Sequence, residues 1–150
     1  MLKVYRDRLL KLAAFLDKLP RKKFDFSVFY EVNCQTKACA LGYCPTVFPK
    51  DWMVGKKPYE IIEDAQGGKL KEYGVCLKSM QLKVPGREAS FLSAREFFGL
   101  INSEVEALFL GDCAYMETQY LKEFGDDATP KQIAGNIRRF IAHKDKEKKS

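Results

Sequence analysis

At 150 residues, with 46% apolar and 13% aromatic side chains, the chain can bury one hydrophobic core but is too short for two comfortable domains. That composition excludes a disordered polypeptide, and no apolar run reaches the roughly 18–20 residues that cross a bilayer. The net charge of +6 is unevenly spread: residues 1–23 carry eight Lys/Arg against two Asp, residues 138–150 carry six against two acids, and the middle is acidic.

Residues 3–19 predict the first helix. Leu9, Leu12, Ala13, Leu16 and Leu19 fall on one stripe, with Arg6, Lys11 and Lys18 off it, and Pro20 ends the pattern. A short second helix is expected from Asp25, with Phe24 stapled on Phe29. A third is expected over Thr36–Tyr43, capped by Thr36 and halted by Pro45 and Pro49. Residues 45–70 give no clear pattern, although Trp52, the only tryptophan, reads as a core plug and Gly67-Gly68 as a turn. Tyr73–Leu77 and Met80–Val84 read as a hairpin that ends at Pro85-Gly86.

Helical patterning returns at Ser93, with a capping box to Glu96 and a stop at Gly99. A second box at Ser103 opens a helix over about 103–110 that Gly111 closes, and Tyr115–Phe124 is read as one more short helix. The last helix is the best marked: Thr129, Pro130 and Gln132 supply an N-cap, N1 and N3, and Ile133, Ile137, Phe140 and Ile141 form its apolar face. The expected fold is α+β and mainly α. It is one compact domain over 1–143, with five or six short helices, a small β-hairpin and a flexible Lys-rich tail at 144–150.

Three of the five cysteines, Cys34, Cys39 and Cys44, lie within eleven residues. If Thr36 caps a helix, Cys39 sits at N3, where free N–H groups and the helix dipole favour a thiolate. Cys39 is therefore the candidate nucleophile. Its weakness is the lack of a base: the one histidine, His143, lies near the chain end, and a nucleophilic cysteine wants an oriented base. Cys34, Cys39 and Cys44 are also the candidate metal ligands, with Cys76 or Cys113 as a fourth. Their five-residue spacing is wider than the usual zinc pair, whose short turn aims both sulfurs at one point. A Cys34–Cys39 disulfide is the third option, and an odd cysteine count in a reducing compartment weighs against it. Packed, reduced thiols under a helix start are the preferred reading, and no cofactor is expected.

The basic ends suggest a different chemistry. Arg6, Lys11, Lys18, Arg21, Lys22 and Lys23 at one end, with Arg138, Arg139 and Lys144 at the other, form a cationic patch if the two ends meet. Such a patch suits a protein partner or the backbone of a nucleic acid. A helix-turn-helix reader over 93–110 is disfavoured, because its second helix carries Glu104 and Glu106 and no Lys or Arg.

Phe24-Asp25-Phe26-Ser27 followed by Cys34-Gln35-Thr36-Lys37-Ala38-Cys39-Ala40-Leu41-Gly42 resembles a block in an uncharacterised family of small bacterial and phage-encoded proteins. In that family the usual form is Phe-Asp-Met-Ser and then Cys-Gly-Thr-x-x-Cys-Ala-x-Gly. Phe97-Phe98-Gly99-Leu100 and the Thr129-Pro130 helix start match as well. Gln35 departs from the usual Gly, and Ile101 stands where a Ser or Thr cap is usual. The resemblance implies an architecture and a phage or prophage setting, and no activity. The expectation is a cytoplasmic accessory protein that binds a macromolecular partner. The alternatives are a thiol-dependent enzyme or redox protein centred on Cys39, and a salt-sensitive binder of nucleic-acid backbone.

Overall fold

The computed structural model describes residues 1–25, 31–32, 36–63, 66–113, 115–125 and 127–149. The fold is α+β and mainly helical, as the sequence predicts. Its helices are α1 (Lys3–Lys18), α2 (Cys44–Val47), α3 (Arg87–Phe98), α4 (Asn102–Phe109) and α5 (Pro130–Lys149). Its strands are β1 (Glu31–Val32), β2 (Thr36–Lys37), β3 (Trp52–Val54), β4 (Glu60–Glu63), β5 (Lys69–Glu72) and β6 (Val75–Leu77).

The stripe read for α1 is the buried one: Leu9, Leu12, Ala13 and Leu16 are fully covered. They pack with α5, whose Ile133, Ile137 and Phe140 are equally buried. The pairings Arg6–Asp145 and Asp17–Arg138 run the two helices antiparallel. At the start of α5, the Thr129 Oγ1 accepts from the Gln132 N–H at 3.2 Å, and Gln132 Oε1 accepts from the Thr129 N–H at 2.9 Å. Removing this cap with Thr129→Ala should cost about 1 kcal/mol, read as a lower denaturant midpoint with an unchanged slope.

A second part of the core is aromatic. Phe97 meets Phe48 at 4.8 Å and Phe98 at 5.1 Å between ring centroids, and Trp52 lies edge-on to Phe97 at 5.7 Å. Trp52 is thus the core plug its solitary position suggests. Gly99 ends α3 in the left-handed region at φ 65°, and a Cβ there would run into the Tyr5 ring of α1. A side chain at this position is excluded both by the backbone angle and by the α1–α3 approach.

Several local expectations are corrected. Thr36–Tyr43 is not a helix: Thr36 and Lys37 pair with Val32 and Glu31, and only Leu41–Tyr43 turn, as a 3₁₀ segment. The β-branched Thr36 finds a cross-strand partner, and Pro45 lies in the first turn of α2 instead of stopping a helix. In a first helical turn the missing proline N–H is no loss. Phe24 and Asp25 run extended beside Ala38; the helix expected from Asp25 and its staple on Phe29 lie outside the described residues.

The hairpin is also relocated. β6 pairs with β3 and β5 with β4, all antiparallel, while Lys78–Met80 is a 3₁₀ turn followed by Gln81 at φ 55°. Met80–Val84 is therefore not a strand. Pro85 lies against the backbone of Gly55 and Gly74, a close approach that holds the loop after β6.

α3 starts at Arg87, not at Ser93. The Ser93 hydroxyl instead donates to Ala89 O at 2.7 Å and accepts from the Leu77 N–H at 3.0 Å, joining α3 to β6. Ile101 occupies the N-cap of α4, where the Glu104 carboxylate accepts its N–H at 2.9 Å; Ser103 is buried in the first turn. Within Tyr115–Phe124 only Met116–Thr118 turn, as 3₁₀. α5 runs on to Lys149, so residues 144–149 continue a helix where a tail was expected.

Candidate functional site

The cysteine segment forms an interior. Cys39, Cys44, Cys76 and Cys113 are all buried free thiols. Cys39 lies between the Ala38 bridge and the 3₁₀ turn, not in the first turn of a helix. Burial pushes its thiol up to about 11, against the pull of the backbone N–H groups of Gly42 and Leu41. Burial also raises Cys44 well above its ordinary value, with Cys39 beside it adding to the shift. Desolvation disfavours the charged sulfur more than two amide dipoles favour it.

His143 is engaged by Tyr120 and Glu147. Its ring stacks on Tyr120 at 3.8 Å, and its Nε2 lies 3.1 Å from Glu147. Cys34 lies outside the described residues. Among the described residues, no group of three or more His, Cys, Asp or Glu is placed to hold a metal ion.

The two basic ends do meet, because α1 and α5 pack together, but the contact consumes cations. Arg138 forks onto Asp17 and holds that carboxyl below the usual range. Arg6 pairs with Asp145 at 2.6 Å, and Lys144 pairs with the buried Glu104 at 2.7 Å. Arg139 donates to Asn136 Oδ1 at 3.1 Å. Arg6, Arg138 and Lys144 thus tie α5 to α1 and α4, while Arg139 bonds within α5. Lys11, Lys18, Arg21, Lys22 and Lys23 remain exposed on α1 and the 3₁₀ turn after it.

Opposite α5, a groove of about 580 Å³ opens between α1 and the Phe48–Asp51 stretch. It continues into a second hollow of about 380 Å³ that shares Arg8, Asp51 and Phe97. Arg8 sits at the junction. Its guanidinium lies 4.0 Å from the centroid of the Phe97 ring, and one N–H donates to Phe97 O at 2.9 Å. Lys11 reaches over Phe48 at 5.5 Å. Lys3, Lys50 and Lys78 bring the groove to five cations, against the carboxylates of Asp7, Asp51 and Glu96.

A planar guanidinium fixed on an aromatic face keeps most of its five donors for a ligand and loses little freedom on binding. The arrangement suits carboxylates or phosphates presented along α1. Arg8 lies off the buried stripe of α1, so the apolar periodicity does not mark it. Val4, Arg8, Lys11 and Phe15 recur at helical spacing on an adjoining face, and that recurrence was the available signal.

Comparison with protein-family models, with curated proteins and with solved structures gives no match. Among the described residues, no helix is long and apolar enough to cross a membrane.

Proposed function

We propose that the protein is a non-enzymatic accessory protein that binds an acidic protein partner in the α1 groove. The cytoplasmic location and the phage or prophage setting expected from the sequence belong to the same proposal. The observation that carries it is Arg8, clamped on Phe97 between two joined hollows and having no carboxylate within ion-pair distance among the described residues.

A protein ligand is favoured over nucleic acid for two reasons. Arg8 and Lys11 cover the Phe97 and Phe48 rings, so these rings are not stacking platforms for bases. Asp7, Asp51 and Glu96 interrupt the cationic lining; glutamate side chains can turn away from these carboxylates, whereas the charges of a phosphate backbone are fixed in the chain itself. The thiol reading is disfavoured by the raised pKa of a buried Cys39.

The test is titration of the protein with a ten-residue glutamate peptide and with a ten-nucleotide oligothymidylate, at low and at physiological salt. The peptide should bind, more weakly as salt rises. Tighter binding of the oligonucleotide, or no binding of the peptide, would overturn the proposal.

A further inference from the structure

A second cleft lies farther along α1. It has a volume of about 490 Å³ and is lined by Phe15, Leu19, Pro20, Tyr43 and Thr46, with Lys18 and Lys23 at its edge. Phe15 and Tyr43 meet at 5.3 Å between centroids, and the Tyr43 hydroxyl donates to Lys23 O. That bond fixes the ring as one wall and joins the 3₁₀ turn after α1 to the turn before α2.

This cleft and the Arg8 groove share one side of α1. Val4, Arg8 and Lys11 line the first, and Phe15, Lys18 and Leu19 the second, all within an arc away from the buried Leu9–Leu16 stripe. Both also share a second wall, since Tyr43 and Thr46 border one and Phe48 the other. The hollows therefore lie end to end between α1 and the Tyr43–Phe48 segment. From Arg8 to Leu19 the helix rises about 16 Å, which an extended chain covers in about five residues.

The two ends differ in chemistry: one offers a fixed guanidinium among lysines, the other an apolar hollow edged by two lysines. We propose that the second cleft receives an apolar side chain of the same acidic segment whose carboxylates lie in the Arg8 groove, an inference that rests on the function proposed above. The partner is thus an acidic protein segment with one apolar anchor. A uniformly charged polymer would leave the cleft unused. Lys18 and Lys23 favour acidic residues flanking the anchor, and the ring walls favour Leu or a larger side chain.

The test compares two peptides on the intact protein: ten glutamates, and the same peptide with one internal glutamate replaced by leucine. The leucine peptide should bind about tenfold tighter despite carrying one charge fewer, as expected for burial of one aliphatic side chain. Thr46 is exposed at the cleft, so Thr46→Phe fills the hollow without touching the core and should bring the ratio of the two affinities to about one. Equal affinities in the unaltered protein, or a leucine advantage that survives Thr46→Phe, would overturn the anchor while leaving the Arg8 groove standing. Failure of both peptides to bind would remove the groove reading and the anchor with it.

Discussion

Iodoacetamide at pH 7.5 should leave Cys39 of the folded protein almost unmodified. A thiol held at about 11 carries about 100-fold less thiolate at that pH than an ordinary cysteine near 9.0. The packing around Cys39, a residue only 5% exposed, lowers the rate further. Peptide-resolved mass spectrometry over time would measure it, with a urea-unfolded sample as the reference. Modification as fast as that of glutathione would restore the thiol-enzyme reading.

The same shift makes stability depend on pH. The folded pKa lies above the unfolded one, so the contribution of Cys39 is fully present below about pH 9 and is lost as pH rises toward 11. The loss approaches about 3 kcal/mol. Cys44 moves in the same direction for the same reason. Urea midpoints should therefore fall steadily above about pH 9 and change little from this cause between pH 6 and 8.

The second large effect is expected at Arg8. Arg8→Glu removes a charge-assisted contact worth about 1.5–3 kcal/mol and adds a repulsion. Affinity for the glutamate peptide should therefore drop about 30-fold or more. Arg8 is only partly buried and makes no ion pair among the described residues, so the fold should tolerate the change. Lys22→Glu, on the exposed 3₁₀ turn outside the groove lining, gives the same change of charge and should have a much smaller effect. Equal losses in both variants would mean that net charge, not a built groove, drives the binding.

The helices with strong periodicity or complete caps were legible in the sequence. The α1 stripe and the Thr129–Gln132 box each encode their own geometry within a few residues, as does the Gly99 stop. What sequence could not place depends on long-range pairing. Thr36 suits a helix cap and a strand equally well, and the choice falls to Val32, its cross-strand partner. Ser93 has the spacing of a capping residue, yet its hydroxyl is taken by Ala89 and Leu77. Lys144 and Arg138 read as free surface charge because their acids, Glu104 and Asp17, lie 40 and 121 residues away in the chain. The groove was invisible for the same reason: Arg8 is made into a site by Phe97, 89 residues on.

The central claim is that the exposed side of α1 is a ligand-binding surface, and backbone amide NMR during titration with the leucine-containing glutamate peptide tests it most directly. Shifts concentrated at Val4, Arg8, Lys11, Phe15, Thr46 and Phe97, saturating together, are predicted. Shifts centred on the Cys39–Gly42 segment or on β4, with α1 unmoved, would contradict it.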